Sequence, residues 1–468
     1  MFRTMTFPKK GVILTLLLIV MLLAMIACGG AAAPAQEAAA PSEPEAAVQE
    51  EAPAAEAEEV EEVAAEVQEI DLTFWTFVDA HADFFLKQAE RFNAAHPEVV
   101  IKLEPTVIDY QDMHDKLLIA LQSGTGAPDL VDIEIAKFGT FMRGDIQLHD
   151  LTPLIERSGK DLVIERMAPY QGGGQQYGVD YHLGALVMYY NKELLDQAGV
   201  DVDSIVTWDD YIEAGKKVKE ETGAWMATIE TTDKWSVSPL MQENGGGVYD
   251  KDGNLILDSP ANAEALQLLS DMFHVHQILT VAPGGYHHSP EYYAMMNDGD
   301  KVASVWMPQW FMIRFKEFMP DLKGKMVVRP LPAFEEGGMI STMGGGTGTA
   351  ITKQIDPEKL GAAMEFLEFA KLTREAQVLI WTDLGFDPYR LDVYDDTELN
   401  NPDEYFSNEP VMQTIKGMLD RLTPEYNGPR YPEAQQQIRE KIAYGLFEEN
   451  KPPADLLSTA QGEIEAMQ

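Results

Sequence analysis

The chain of 468 residues contains a single cysteine, Cys28, so no disulfide can form within it. Cys28 directly follows an apolar run over residues 11–27, and the basic residues Arg3, Lys9 and Lys10 precede that run. A basic segment, an apolar segment and a junction of small residues are typical of a secretory signal. Because an exported chain without disulfides is stabilised by its own hydrophobic core, this chain must bury a large one.

The position of Cys28 also predicts a bacterial lipoprotein. Residues 1–27 would be the signal peptide, and Cys28 would be acylated and become the first residue, anchoring the protein to the outer face of the cell membrane. The alternative is a plain transmembrane helix, for which about 17 apolar residues are at the short limit. The junction has Met25 where the commonest lipobox has leucine.

Residues 28–69 are predicted to be a disordered tether. From residue 31 to 69 the segment contains no lysine, arginine or aromatic residue and consists mainly of Ala, Glu, Pro, Gln and Val. Such a composition cannot bury enough apolar surface to order the chain. The formal net charge of −42 extends beyond this tether. It argues against nucleic acid as a partner, because nucleic-acid binding requires basic surface.

From Ile70 onward the pattern alternates between strands and helices, which favours an α/β fold with mainly parallel sheets. Alternating residues predict strands, and apolar residues at helical spacing predict helices. The first elements are a strand at 70–75, a helix at 82–95, a strand at 99–103, a helix at 110–122 and a strand at 128–133.

Three later helix starts are predicted from capping residues. Thr207 with Asp210 is close to a capping box. Ser259 and Asp356 each precede a proline at what would be the first helical position.

No catalytic motif is present. The chain has no GxSxG elbow, HExxH motif or GxxxxGK[ST] loop. The glycine run at 344–346 lacks the lysine that a phosphate-binding loop requires. The histidines at 274, 276, 287 and 288 have no carboxylate or fourth ligand at metal-site spacing. We therefore predict no catalytic residue, no metal and no cofactor.

Several segments, in order over residues 70–468, resemble the extracellular solute-binding protein family 1, which includes the maltose-binding-like lipoproteins of sugar ABC importers. The segments are LTFWTF at 72–77, FNAAHP at 92–97, LQSGTGAPD at 121–129, YYNK at 189–192, GDKVASVW at 299–306 and GGG at 344–346. One departure is Asp180, where the family usually has proline.

The resemblance implies a two-lobed, type II periplasmic-binding-protein-like fold. Each lobe would be a mainly parallel sheet flanked by helices, with a hinge of several segments. The N-terminal lobe would comprise 70–184 and 332–385, and the C-terminal lobe 185–331 and 386–468. A monomer would bind a carbohydrate between the lobes and deliver it to the permease subunits of an ABC importer.

A carbohydrate site needs aromatic platforms for the apolar sugar faces and polar partners for the hydroxyls. The resemblance places Trp75 and Asp79 beside this site, with core packing of Trp75 and helix capping by Asp79 as alternatives. Glu134 ends a predicted strand and is expected to accept hydroxyl hydrogens, or else to be a solvated acid.

The resemblance also assigns stacking roles to Trp235 and Trp310. Trp306 is included as a candidate, although packing at the strand end is the stronger interpretation for it. Two tryptophans four residues apart can equally form a hydrophobic seam on one helix face.

Four further candidates lie at the predicted passages between lobes. Tyr181 and Asp387 could contact ligand or serve only the hinge. Gly345 and Gly346 could allow the backbone to approach the ligand closely, or could simply form a flexible turn.

Two other functions remain open on sequence alone. An acidic, tryptophan-rich cleft could hold a cationic small molecule through cation–π attraction. A surface enzyme acting on glycans is the second alternative, and turnover of the ligand would distinguish it from a receptor.

Overall fold

The first strand begins at Gln68, two residues before the predicted start at Ile70. The computed structural model describes residues 67–467. The predicted signal peptide, Cys28 and the tether up to residue 66 lie outside the described residues, so these assignments stay predictions. Within residues 67–467, no helix is long and apolar enough to cross a membrane.

Strands and helices alternate along the chain, which confirms the predicted α/β class. The strands are β1 (Gln68–Thr76), β2 (Val99–Val107), β3 (Leu130–Glu134), β4 (Gln171–Gly172), β5 (Gln175–Gln176), β6 (Leu186–Asn191), β7 (Trp225–Ile229), β8 (Leu279–Val281), β9 (Val302–Pro308), β10 (Met326–Arg329), β11 (Ser341–Thr342), β12 (Thr347–Ile351) and β13 (Leu422–Thr423).

The helices follow the same order. They are α1 (Asp79–Ala95), α2 (Tyr110–Ser123), α3 (Ile135–Phe141), α4 (Thr152–Ser158), α5 (Lys192–Gln197), α6 (Trp208–Thr222), α7 (Ser238–Glu243), α8 (Pro260–Ser270), α9 (Pro290–Asn297), α10 (Met312–Phe318), α11 (Leu360–Lys371), α12 (Arg374–Leu384), α13 (Val411–Lys416), α14 (Tyr431–Gln437), α15 (Ala443–Phe447) and α16 (Pro453–Ala466). A π-helical turn, Ile438–Ile442, joins α14 to α15.

Two of the three predicted helix starts are confirmed. Thr207 and Asp210 form a capping box at the start of α6. Ser259 caps α8, which begins with Pro260. The start predicted at Asp356 is wrong, because the following residues form a turn and α11 begins only at Leu360.

The first sheet has the strand order β12-β3-β1-β2, and β1 pairs with β2 and β3 in parallel. Alternate residues of β1, such as Leu72 and Phe74, are buried. Phe74 packs against Phe85 of α1, with ring centroids 4.7 Å apart. The apolar residues at every second position of β1 therefore pack against the apolar residues at helical spacing in α1.

The second sheet has the strand order β10-β6-β9-β7-β8. Strands β9, β7 and β8 are parallel, whereas β6 runs antiparallel to both β10 and β9. The expectation of a mainly parallel sheet therefore fails for this sheet. Strand β6 enters this sheet from the first one, since Val179, seven residues before β6, bridges Thr349 in the first sheet.

Buried hydrogen bonds stabilise the chain segments that cross between the two sheets, which we call passages. Asp387 is fully buried, and its carboxylate accepts hydrogen bonds from the backbone N–H groups of Gly184 at 3.0 Å and Ala185 at 2.8 Å. The sequence analysis included Asp387 among the ligand residues. The structure corrects this assignment, since both carboxylate oxygens bind the backbone of another passage.

A second buried carboxylate, Asp180, lies on the same passage. It accepts a hydrogen bond of 2.5 Å from Arg166 Nη2, and it also accepts from Tyr170 Oη and from the backbone N–H of Tyr181. Although burial favours the neutral acid, the charge of Arg166 holds the pKa of Asp180 below its ordinary value. Arg166 also donates to the carbonyl oxygen of Gly345, so this ion pair connects the passage to the glycine run.

We expect Arg166→Leu to lower the free energy of unfolding by about 3–5 kcal/mol, because Asp180 would remain buried without its counter-charge. Urea denaturation measures the change. Arg157→Leu is the control, because it removes an exposed ion pair with Glu368 and should cost less than about 1 kcal/mol. Equal losses in the two variants would contradict the importance of the buried pair.

Candidate ligand-binding site

A cleft of about 820 Å³ lies between the two sheets. Residues that follow the parallel strands β1, β7 and β9 line it, together with Glu134 at the end of β3. The carboxyl ends of strands are the usual ligand-binding edge of open α/β sheets. The lining residues used below are Phe77, His81, Tyr110, Glu134, Tyr181, His182, Lys234, Trp235, Tyr286, His288, Tyr293, Trp310, Arg314, Phe318, Gly345, Gly346, Gln435 and Arg439.

Trp310 and Trp235 form the aromatic centre of the cleft. Their ring centroids are 5.5 Å apart and their planes are inclined at 72°. His288 stacks on Trp310 with an interplanar angle of 22°. Trp310 remains half-buried, whereas Trp235 is only 8% exposed. Trp310 therefore offers more surface to a ligand than Trp235 does.

A second aromatic pair lies farther along the same wall. The rings of Tyr293 and Phe318 are stacked at 4.8 Å with an interplanar angle of 4°. Tyr286 lies near His288, with ring centroids 5.2 Å apart. Aromatic surface thus extends beyond the central pair, which suits a ligand longer than one ring.

Gly345 and Gly346 allow the glycine run to lie against the aromatic centre. A Cβ atom on Gly345 would lie 3.0 Å from Trp310 Nε1, and one on Gly346 would overlap Arg166 and Asp180. Both residues have a positive φ, of 73° and 139° respectively, which favours glycine. At Gly346 no larger residue fits without displacing the buried ion pair.

Glu134 lies on the same wall as the glycine run, because it pairs with Thr347 in the register of β3 and β12. Its Oε2 atom accepts a hydrogen bond from the backbone N–H of Ala136 at 2.8 Å and from Tyr110 Oη at 3.1 Å. Burial raises the pKa of Glu134, and the charge of Lys234 opposes this rise. Since both bonds use Oε2, Oε1 can accept a hydrogen bond from a ligand hydroxyl.

His114 lies behind this wall and positions it. Its Nε2 accepts a hydrogen bond from the backbone N–H of Glu134 at 3.1 Å, so this nitrogen carries no proton. Its Nδ1 lies 2.6 Å from the carbonyl oxygen of Tyr110 and must donate. Burial lowers the pKa of His114 to about 4. The neutral ring of His114 thereby links the backbones of Tyr110 and Glu134, whose side chains are hydrogen-bonded to each other.

The floor of the cleft is a buried polar network centred on Asp132. Asp132 Oδ2 lies 2.9 Å from both His81 Nδ1 and Tyr181 Oη. His81 also stacks on Tyr181 at 4.0 Å, and Lys371 Nζ lies 3.3 Å from the centroid of the Tyr181 ring. Burial lowers the pKa of Lys371 to about 7, even though Asp132 raises it. Tyr181 is fully buried, so it forms part of the floor of the cleft but offers almost no surface to a ligand.

Three further predicted ligand residues do not line the cleft, and the structure corrects these assignments. Trp75 is still within β1, so its side chain projects from the sheet face onto the apolar cluster around Val131, and Phe77 lines the cleft instead. Asp79 is exposed in the first turn of α1. Trp306 is 1% exposed and donates from Nε1 to the carbonyl oxygen of Trp235, which confines it to the core.

The structure brings the other predicted residues together at the cleft: Glu134, Tyr181, Trp235, Trp310, Gly345 and Gly346. Sequence reasoning missed the lining residues that come from helices and remote loops. They include Tyr110, Tyr286, His288, Tyr293, Arg314, Phe318, Gln435 and Arg439, and Phe77 in the loop after β1 was missed as well. The aromatic and histidine-rich segment at 286–288 was a usable signal, since its aromatic character suits a ligand wall as well as a loop.

Two sheets flanked by helices, with an aromatic and polar cleft between them, are typical of a two-lobed ligand-binding protein. Residues 79–377 match the family model of the bacterial extracellular solute-binding protein, which covers more than half of the chain. The chain belongs to this family.

The chain is similar to two curated relatives along most of its length. It is 42% identical to the arabinooligosaccharide-binding protein of Halalkalibacterium halodurans over 399 residues, covering 85% of this chain and 89% of the relative. It is also 42% identical to the arabinooligosaccharide-binding protein of Bacillus subtilis, covering 85% of this chain and 92% of the relative.

Solved structures share the fold at lower identity. The GacH receptor of Streptomyces glaucescens aligns with a TM-score of 0.66 and 22% identity, covering 85% of this chain and 98% of that one. Maltose-bound MalE3 of T. maritima aligns with a TM-score of 0.65 and 21% identity, covering 85% of this chain and all of that one. These alignments confirm the predicted type II periplasmic-binding fold.

We expect the stability of the protein to depend on His114 at acid pH. Folding holds the His114 pKa at about 4, below its ordinary value of 6.5. As pH falls from 6.5 towards 4 the unfolded chain therefore binds a proton that the folded chain does not, and stability falls. The loss amounts to about 3 kcal/mol over this window.

Urea denaturation from pH 4 to pH 7 measures this dependence. His114→Gln has no titrating ring, so its stability should fall less steeply below pH 6.5 than that of the wild type. Parallel profiles for the two proteins would contradict the assignment.

Proposed function

We propose that this protein captures an arabinose-containing oligosaccharide in its cleft for an ABC importer. It is a carbohydrate-binding receptor of such an importer and acts outside the cytoplasm. The observation that carries the narrower ligand class is the 42% identity, over 85% of the chain, to two arabinooligosaccharide-binding proteins.

The aromatic centre supplies the apolar part of recognition. Trp310 presents its half-buried ring to the CH face of a sugar, and Trp235 packs at an angle behind it. Tyr293 and Phe318 extend the platform towards a further sugar unit. Each stacked ring contributes about 0.5–1.5 kcal/mol beyond the burial of its area.

Polar groups supply specificity for the hydroxyls. Glu134 offers Oε1 as an acceptor, and the neighbouring Gly345 and Gly346 allow the backbone to lie close to Trp310 and to the buried ion pair. We assign ligand contact to Glu134, Trp235, Trp310, Gly345 and Gly346. Tyr181 contributes indirectly, through His81 and Asp132.

We propose binding without turnover, with the bound sugar released unchanged to the permease. The N-terminal lobe would comprise 70–184 and 332–385, and the C-terminal lobe 185–331 and 386–468. A hinge motion at the passages around Gly184 and Asp387 would close these lobes on the ligand.

We further propose that acylated Cys28 anchors the receptor to the outer face of the membrane. Metabolic labelling with a fatty acid tests this anchor in the wild type and in Cys28→Ser. Labelling should be lost in Cys28→Ser, and equal labelling of both proteins would contradict lipidation at this residue.

The ligand class is tested by isothermal titration of the purified protein with arabino-oligosaccharides, maltose, lactose, a polyamine and a betaine. We expect saturable binding of arabino-oligosaccharides and recovery of the intact sugar by chromatography. Binding of the polyamine or betaine alone would contradict a carbohydrate receptor, and cleaved sugar would contradict binding without turnover.

We expect Trp310→Ala to weaken arabino-oligosaccharide binding about 10- to 100-fold, because a stacking platform is removed. Trp225→Ala is the matched control, since Trp225 is a half-buried tryptophan at the start of β7 that does not line the cleft. Equal affinities of Trp310→Ala and the wild type would contradict the stacking role.

A further inference from the structure

One wall of the cleft carries two polar side chains that the proposed contacts above do not use. Gln435 of α14 and Arg439 of the following π-helical turn both line the cleft. They are four residues apart, so they lie on the same side of the helix. π-Helical turns widen a helix locally and occur frequently at functional sites.

Gln435 is buried without hydrogen-bond partners. It is 1% exposed, and neither Nε2 nor Oε1 has a partner within residues 67–467. Leaving such an amide unpaired in the interior costs about 1–3 kcal/mol for each group. Because this side chain lines the cleft, a ligand is the natural partner for its donor and acceptor.

The neighbouring glutamines behave differently, although they have the same chemistry. Gln436 is exposed and donates to Glu440 Oε1 at 3.0 Å. Gln437 is also buried, but it does not line the cleft. Among three consecutive glutamines, only Gln435 combines burial, two unpaired amide atoms and contact with the cleft.

Arg439 supplies a positive charge on the same wall. It is half-buried, and among the described residues no group forms an ion pair or a hydrogen bond with its guanidinium. Tyr110 donates a hydrogen bond to Glu134, and α3, which follows Glu134, packs against α14. Burial raises the pKa of Tyr110, and the charge of Arg439 opposes this rise, which places Arg439 near the bond between Tyr110 and Glu134.

We propose that Gln435 and Arg439 form a polar subsite that recognises two neighbouring oxygens of one sugar unit. This inference rests on the proposed function and names the part of the cleft that selects the hydroxyl pattern. The amide of Gln435 donates to one sugar oxygen and accepts from its hydroxyl, while the guanidinium of Arg439 donates to the adjacent oxygen. Glu134 directly precedes α3, which packs against α14, and it accepts a hydroxyl hydrogen of the same sugar.

The run of three glutamines provides a controlled test. Isothermal titration with arabinotriose is carried out on the wild type and on Gln435→Ala, Gln436→Ala and Gln437→Ala, with the thermal midpoint of each protein measured in parallel. We expect Gln435→Ala to weaken binding about tenfold or more and the other two variants to change it less than about twofold.

A double-mutant cycle tests whether the two residues act on one sugar unit. Arg439→Ala should weaken binding about tenfold or more by itself. In the double variant with Gln435→Ala, the two losses should combine non-additively, because both side chains contact the same unit. Fully additive losses would overturn the shared subsite.

An unchanged affinity of Gln435→Ala would overturn the subsite. The subsite would also be overturned if Gln437→Ala lost as much affinity as Gln435→Ala and its thermal midpoint fell by the same amount. If arabinotriose does not bind the wild type but another sugar in the titration series does, the proposed arabinose ligand fails. The glutamine comparison is then made with that sugar, so the two proposals are judged separately.

Discussion

The buried ion pair between Arg166 and Asp180 is the interaction on which the geometry of the cleft depends. Asp180 binds the backbone of the first passage between the sheets, and Arg166 binds the carbonyl oxygen of Gly345. Two charges removed from water persist only when each is paired and hydrogen-bonded. The pair therefore fixes the distance between the passage and the glycine run, and with it the position of the run against Trp310.

A rigid floor and walls of different character follow from this arrangement. Asp132 and Tyr181 are fully buried, so water does not compete for the hydrogen bond between them. The wall with Trp310 is mainly aromatic, whereas Glu134 and Gln435 lie on walls that offer hydrogen-bonding groups. A sugar has both apolar faces and hydroxyl edges, and this cleft presents a surface for each.

Local sequence patterns predicted much of the fold, but the ligand residues less well. The alternation in β1 and the caps at Thr207 and Ser259 are set by near neighbours and appear in the structure as expected. The assignments of Trp75 and Trp306 to the cleft failed because the sequence does not show where a strand ends or which face of it is buried. Gln435 had no sequence signal, since three consecutive glutamines look equivalent until a helix orients them.

The sequence by itself determined the alternation of strands and helices, the absence of disulfides and the family of the chain, because these depend on local periodicity, composition and the order of short motifs. Only the tertiary structure decided which of the tryptophans face the cleft, that Asp180 and Asp387 are buried structural acids, and that Gln435 differs from its neighbours. Those properties depend on contacts between segments far apart in the sequence, such as Asp180 with Thr347 and Asp387 with Gly184. No local pattern encodes such contacts, because they form only when the two sheets are brought together by the passages between them.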